Sequence, residues 1–121
     1  MTVELAIIGA GPAGMAAAAL ADELGLETAL IDEQGSPGGQ IYRAIEGAEQ
    51  DTPLGADYLA GRPLAAALRA SRVDYRPSTT LWHVGPEGTL FLETVGRTEI
   101  LTARRIQLAT GAVERPAPLP E

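Results

Sequence analysis

The feature that most constrains the fold of this chain is a cluster of three glycines near the N-terminus, placed between two segments of different hydrophobic pattern. The run Val3–Ile8 is short and mainly apolar, which is typical of a strand buried on both faces of a parallel sheet. Pro12–Leu24 then has helical spacing, and Gly25 follows as a residue that ends helices. Because Thr28–Ile31 is a second short apolar strand, the segment predicts one right-handed βαβ unit of about 30 residues.

We expect the helix to pack through one face of small and apolar side chains and to turn Asp22 and Glu23 outward. That face is predicted to consist of Ala13, Ala16, Ala17, Leu20 and Leu24. It would lie against the preceding strand.

The glycines have the spacing Gly9-x-Gly11-x-x-Gly14 (GxGxxG), directly between the predicted strand and helix. Gly9 permits a tight turn, Gly11 has no Cβ to obstruct a diphosphate, and Gly14 lets the helix pack closely on the strand. The helix starts at Pro12 and Ala13, and its free N–H groups favour an anion by about 0.3 to 2 kcal/mol. The alternative interpretation is a small-residue turn used only for packing.

Two acidic residues close the second strand: Asp32 lies 23 residues after Gly9, and Glu33 is next to it. A carboxylate at this position accepts hydrogen bonds from ribose hydroxyls. Since side chains alternate along a strand, only one of the two faces the ligand, and Asp32 has the matching position. Its charge would repel a 2′-phosphate, which disfavours NADP at this site. The alternative is a solvated turn carboxylate without a ligand.

The rest of the chain predicts one more helix and then β-structure. Gln34–Gln40 holds three glycines and a proline and is predicted to be a loop. Helical spacing over Asp57–Ser71 predicts a helix that becomes regular near Arg62, followed by a short strand at Val73–Arg76.

Further strands are predicted at Thr79–Val84, Thr89–Val95 and Thr98–Thr102, separated by turns. They form an antiparallel meander at about residues 79–104, before a last strand at Arg105–Thr110. We therefore predict a single α/β domain over residues 1–121, a Rossmann-like parallel sheet plus a three-stranded antiparallel β-meander.

Composition excludes several classes of protein. The chain has 121 residues, enough for about one domain, and a net charge of -7 with nine basic residues, which disfavours nucleic acid and anionic membranes as partners. With no cysteine, thiolate catalysis, disulfides and cysteine metal sites are excluded. Neither a signal peptide nor an apolar segment of about 20 residues is present, so we expect a cytoplasmic protein.

Two strings carry a resemblance to a known family: DEQGSPGGQIYR at Asp32–Arg43 and LATGAVERP at Leu108–Pro116. They resemble the FAD subunits of bacterial amino-acid, opine and proline dehydrogenase complexes, which are flavoproteins with two dinucleotide-binding domains. Ala18, four residues after Gly14, and the meander ending in an Ala-Thr-Gly segment also resemble the FAD-binding half of such proteins. The glycines alone do not separate FAD from NAD.

The resemblance implies further contacts with FAD. Gly38, Gly39 and Gln40 would lie against the flavin side of the cofactor. Val84 would contact the adenine edge through its backbone, and Thr110–Gly111 would pass close to the pyrophosphate or flavin. The alternatives are an ordinary turn and an ordinary strand residue. The tyrosines, including Tyr75, are expected to be packing residues, and the lone His83 is expected to be structural or solvated.

The resembled proteins continue with a nicotinamide-binding domain and a returning strand that ends in Gly-Asp, neither of which this sequence contains. The resemblance therefore covers only their N-terminal, FAD-binding part, and NAD(P) would bind only through a domain absent here. A hydrogen bond to ribose contributes about 1.5 to 3 kcal/mol of binding free energy, and the helix N-terminus contributes at most about 2 kcal/mol. Micromolar affinity requires roughly 8 kcal/mol, which is more than their sum. We expect weak FAD binding by the isolated chain, and an unpaired sheet edge that favours self-association or a partner subunit.

The sequence thus predicts the FAD-binding portion or subunit of a flavin-dependent oxidoreductase, of the amino-acid or amine dehydrogenase type. No catalytic side chain is identified, because the flavin itself accepts the hydride. Two alternatives stay open: a non-catalytic nucleotide-binding or interaction remnant of a split flavoprotein, and a fragment of a thioredoxin-reductase-like flavoprotein.

Overall fold

A computed structural model describes residues 1–112 and residue 118. The chain begins with the predicted βαβ unit. Strand β1 (Thr2–Ile8) leads through the glycine turn into helix α1 (Pro12–Glu23), and β2 (Thr28–Ile31) runs parallel to β1. Gly25 ends the helix as predicted, since it has a φ of 73° and donates its N–H to the Asp22 carbonyl at 3.0 Å. This left-handed residue turns the chain back towards β2.

The buried face of α1 differs from the predicted one. Met15 and Ala18 are fully buried, whereas the predicted packing residues Leu20 and Leu24 are 56% and 67% exposed. The physical reason is Gly14, where a Cβ atom would overlap the carbonyl oxygen of the glycine turn. The helix approaches β1 through this residue, and that contact sets which side chains face the sheet.

Two further helices cover the same side of the sheet. Helix α2 (Gly55–Leu59) is short, and α3 (Gly61–Ala70) packs against α1. The regular helix therefore starts one residue before the predicted Arg62. None of the helices in the described part of the chain has the length and apolar character that crossing a membrane requires.

The remaining strands extend the sheet to six, in the order β3-β2-β1-β6-β5-β4. They are β3 (Asp74–Arg76), β4 (Thr80–Val84), β5 (Thr89–Thr94) and β6 (Arg97–Leu108). Neighbours β4, β5 and β6 are antiparallel, which confirms the predicted meander, while β3, β2, β1 and β6 are parallel. The whole is the predicted mixed α/β fold.

Strand β6 corrects the prediction of two separate strands at Thr98–Thr102 and Arg105–Thr110, because it is continuous over 12 residues. Its first half pairs with β5 and its second half with β1, and Thr102 is the residue that pairs with both. The strand stays extended because one neighbour takes over where the other ends. Among the described residues, the part of β6 beyond Thr102 pairs with β1 only, and Leu108 there is 70% exposed. Self-association stays a prediction.

The core lies on both faces of the parallel strands. One face of β1 and β2 packs against the meander, through Val3, Ala6, Ile8, Ala29, Ile31, Leu90, Leu92, Leu101 and Ala103. The other face packs against the helices, through Ile7, Ala10, Met15, Ala18, Leu30, Ile45, Ala65 and Leu68. Burial of both faces explains why β1 and β2 are mainly apolar, and it leaves the ends of the strands as the exposed part of the sheet.

Candidate dinucleotide-binding site

The carboxyl ends of β1, β2 and β6 meet at one edge of the sheet. The Gly9 N–H, just beyond β1, donates to the Ile31 carbonyl oxygen at 2.8 Å, and the Ala109 N–H, just beyond β6, donates to the Ile8 carbonyl oxygen at 2.8 Å. These bonds place the glycine turn beside both the acidic pair and the segment that contains Thr110. In open parallel sheets, ligands bind at this edge.

The three glycines of the turn have different structural roles. Gly9 has a φ of 110° and lies against the backbone of Ala109, so a Cβ atom there would overlap a carbonyl oxygen. Gly14 is equally constrained by the Gly9 carbonyl. Gly11 is extended (φ -76°, ψ -172°), and the nearest atom to a Cβ there would be the Gly39 Cα at 3.7 Å. The fold therefore requires glycine at positions 9 and 14 but not at position 11.

The N-terminus of α1 is open to a ligand. Gly11 is the N-cap and makes no side-chain capping bond, and Pro12 occupies the first turn without an N–H of its own. The carbonyl of Gly11 accepts the first helical bond, from Met15 at 2.9 Å. The backbone N–H groups that follow Pro12, beginning with Ala13, thus have no side-chain acceptor at the cap and are available to an anion.

A second glycine loop faces the first. The Gly38 N–H donates to the Ala10 carbonyl at 2.8 Å, and Gly39 has a φ of 64° and lies directly against the Gly11 Cα. Backbone rather than side chains therefore borders the glycine turn. The Gln40 side-chain amide donates to the Ala112 carbonyl at 3.5 Å, which connects this loop to the segment after β6.

That segment brings Thr110 and Gly111 to the site edge. Both are exposed, and Gly111 has a φ of 71°. The string that carries the resemblance runs on to Pro116, but residues 113–117 lie outside the described residues.

Asp32 is the acidic residue that the structure turns towards the glycine turn, whereas Glu33 is exposed. Burial raises the pKa of Asp32 above its ordinary value of 3.8, although three backbone N–H groups act in the opposite direction. One of these N–H groups belongs to Ala10 in the glycine turn, and the others to Glu33 and Gln34. Asp32 is thus held beside the start of α1.

One carboxylate oxygen of Asp32, Oδ2, is buried and has no hydrogen-bond partner among the described residues. Buried acceptors are normally paired, so this oxygen is suited to a donor from outside the chain. A ribose hydroxyl is such a donor. Together with the uncapped helix start and the space beside Gly11, the Asp32 oxygen shows that these residues fit the adenosine diphosphate part of a dinucleotide.

Val84 is the predicted site residue that the structure does not bring to the others. The chain enters β4 beside the acidic pair, where the Thr79 N–H donates to the Asp32 carbonyl oxygen at 2.8 Å. Val84 lies five residues further on, about 16 Å along the strand at the usual rise per residue, and is 49% exposed. The backbone at Ser78 and Thr79 occupies the place next to Asp32 instead. Ser78 has a φ of 49°, and no glycine in the sequence signals this turn.

The parallel sheet, the glycine turn and the half-buried Asp32 together define a Rossmann-like fold of the FAD/NAD(P)-binding class. Comparison with known proteins agrees. Residues 3–121 match the family described as pyridine nucleotide-disulphide oxidoreductase, and the chain belongs to this family.

Individual relatives match nearly the whole chain but only part of their own length. An opine oxidase subunit of Rhizobium meliloti is 45% identical over 115 residues, which is 93% of this chain and 25% of that protein. L-proline dehydrogenase from P. horikoshii is 26% identical with a TM-score of 0.76, over 97% of this chain and 24% of that one. Thioredoxin reductase from Streptococcus pyogenes is 28% identical with a TM-score of 0.63, over 98% and 38%. The chain thus spans about a quarter of the first two relatives.

Proposed function

We propose that this chain is the FAD-binding part of a flavin-dependent oxidoreductase of the amino-acid or amine dehydrogenase type. The observation that carries the proposal is the buried Asp32 oxygen, which has no hydrogen-bond partner in the described part of the chain and lies beside the uncapped start of α1. The 45% identity to the opine oxidase subunit supports the finer assignment, and because this relative is itself one subunit of an enzyme, it also supports assembly with a partner chain. A fragment of a thioredoxin-reductase-like protein is the second candidate, supported by 28% identity to one such enzyme.

In this function each part of the site has one task. The N–H groups at the start of α1 would bind the diphosphate, and the absence of a side chain at Gly11 would let it approach. Asp32 would orient the adenosine ribose, and the loop at Gly38–Gly39 would border the cofactor on the other side. Thr110 would face the same edge. A bound flavin would supply the acceptor for the hydride removed from the substrate.

The binding part of the proposal is tested with ADP, which contains the groups that these residues would hold. We expect ADP to shift the amide NMR signals of Gly9, Gly11 and Ala13 in the ¹⁵N-labelled chain. Asp32→Asn should weaken ADP binding about 10- to 150-fold, since a hydrogen bond to a charged group contributes about 1.5 to 3 kcal/mol. Glu33→Gln is the matched control, because Glu33 is exposed, and it should change the affinity less than twofold.

The opposite pattern would contradict the proposed site: signal shifts away from the glycine turn, or equal losses for both variants. Adenosine 2′,5′-bisphosphate should bind more weakly than AMP, which has the same 5′-phosphate, because its 2′-phosphate would lie against the Asp32 carboxylate.

The substrate class requires a separate test on the FAD-loaded protein in its native assembly. Amino acids, opines and other amines are added without oxygen, and bleaching of the flavin absorbance by one of them supports the assignment. A flavin that NADPH reduces while every amine leaves it oxidised would favour the thioredoxin-reductase-like alternative.

A further inference from the structure

Two buried side-chain oxygens lack a hydrogen-bond partner among the described residues. They are Asp32 Oδ2 and the hydroxyl of Tyr75. A buried polar group without a partner costs stability, and such groups in folded proteins frequently mark a functional site. The sequence predicts that Tyr75 is a packing residue, so the missing partner of its hydroxyl requires another explanation.

The sheet places these two side chains on the same face of neighbouring strands. Tyr75 is opposite Leu30 in the parallel pairing of β2 and β3. Asp32 lies two residues beyond Leu30, and because side chains alternate, it projects to the face that carries Leu30 and Tyr75. On this face, which the helices cover, Asp32 lies just beyond the end of β2 and Tyr75 lies one residue before the end of β3.

Arg69, itself held by Glu46, fixes the position of the Tyr75 ring. The Arg69 guanidinium of α3 lies 5.0 Å from the ring centroid. Glu46 holds Arg69 by two hydrogen bonds of 2.8 and 2.9 Å, so the cation has a defined position over the ring. A fixed ring gives the hydroxyl a defined position as well, which a binding residue needs.

The electrostatics of the site make the Tyr75 hydroxyl a hydrogen-bond donor. Burial, followed by the negative charge of Asp32, raises the pKa of Tyr75 to about 12. The phenol therefore keeps its proton at neutral pH, whereas a carboxylate is an acceptor only.

We infer that Tyr75 is a second ribose-binding residue, whose hydroxyl donates to the 2′-oxygen of the adenosine ribose while Asp32 accepts the 2′-hydroxyl proton. A hydroxyl group both donates and accepts, so it can bond one buried acceptor and one buried donor at the same time. This inference rests on the proposed dinucleotide function. It makes the site selective for a free 2′-hydroxyl, against both the 2′-phosphate and the 2′-deoxy form.

The test uses Tyr75→Phe, which keeps the ring and its contact with Arg69. We expect the variant to bind ADP about 3- to 10-fold more weakly than the unmodified chain, the range for one hydrogen bond. Binding of 2′-deoxy-ADP should differ by less than twofold between the two proteins, since the partner of the hydroxyl is missing. Tyr58→Phe is the control, because the Tyr58 hydroxyl already donates to the Arg43 carbonyl at 2.6 Å, and it should leave ADP affinity unchanged.

Ligand-free stability gives an independent readout. Because the Tyr75 hydroxyl has no partner among the described residues, Tyr75→Phe should unfold at the same or a higher temperature than the unmodified chain. A clear loss of stability would mean that the hydroxyl is bonded within the fold, and would overturn the inference. So would equal losses of affinity for ADP and 2′-deoxy-ADP, or unchanged ADP binding. An unmodified chain that binds no ADP at all would refute the proposed function, and the role of Tyr75 with it.

Discussion

Gly11→Ala separates the requirements of the ligand from those of the fold. Gly11 is extended, a conformation that any residue adopts, and the methyl group would meet only the Gly39 Cα at 3.7 Å. Alanine is a poorer N-cap than glycine, by up to about 1 kcal/mol, but it reduces the entropy of the unfolded chain by about 0.4 to 1 kcal/mol. These effects oppose each other, so the free energy of unfolding should change by less than about 1 kcal/mol.

The effect on the ligand is expected to be much larger. The methyl group would fill the space between the two glycine loops and keep a diphosphate away from the N–H groups of α1. Each lost bond to a charged phosphate costs about 1.5 to 3 kcal/mol, or roughly 10- to 150-fold in affinity. ADP at 100 times its Kd stabilises the unmodified chain by about 2.7 kcal/mol, and a hundredfold weaker affinity reduces this to about 0.4.

Urea unfolding with and without ADP measures both quantities in one experiment. Gly47→Ala is the matched control, because nothing lies within 4 Å of a Cβ at that position and it is remote from the glycine turn. The control should keep the full stabilisation by ADP. Gly11→Ala with undiminished stabilisation would refute the proposed diphosphate position, and a loss of more than about 2 kcal/mol without ADP would refute the claim that the fold tolerates a side chain there.

Two further predictions concern stability without ligand. Gly14→Ala should lower the free energy of unfolding by about 1 to 3 kcal/mol or more, because its methyl group would overlap the Gly9 carbonyl oxygen and come within 2.9 Å of the carbonyl carbon; an unchanged urea midpoint would contradict this. Asp32→Asn should stabilise the ligand-free protein at neutral pH. The folded state raises the pKa of Asp32 above 3.8. The stabilisation that Asp32 contributes to the fold is therefore greatest below pH 3.8 and is lost as the pH rises through the pKa of the folded state. Unfolding curves of both proteins across this range check the sign, and a variant that is less stable at neutral pH would show it to be reversed.

The first third of the fold is predictable from local sequence patterns. Apolar strands buried on both faces, the glycine spacing and the helix-ending Gly25 each act through short-range physical chemistry. The position of Asp32 follows from side-chain alternation at the end of β2. These features need no knowledge of distant contacts.

Predictions from the sequence are least complete where a contact between residues far apart in the chain determines the structure. The α1 helix is rich in alanine on several sides, so its leucines are the strongest local signal for a packing face, but the close approach at Gly14 rotates Leu20 and Leu24 outward. The continuity of β6 depends on two partner strands that exchange at Thr102. The contact of Val84 with adenine stays a prediction. Its separation from Asp32 follows from the bond between Thr79 and Asp32, which joins residues 47 apart in sequence.

The residues that best identify the site are those that the fold itself does not need. Positions 9 and 14 require glycine for packing, but Gly11 has room for a methyl group, so packing within the fold does not account for its missing side chain. Asp32 and Tyr75 both bury an oxygen without a partner among the described residues, which disfavours the ligand-free fold. Such a cost is recovered when a ligand supplies the partners, so these three features together support the proposed binding site more strongly than any single motif. The proposed role of Tyr75 has no sequence signal, since the lack of a partner for its hydroxyl is visible only in the folded structure.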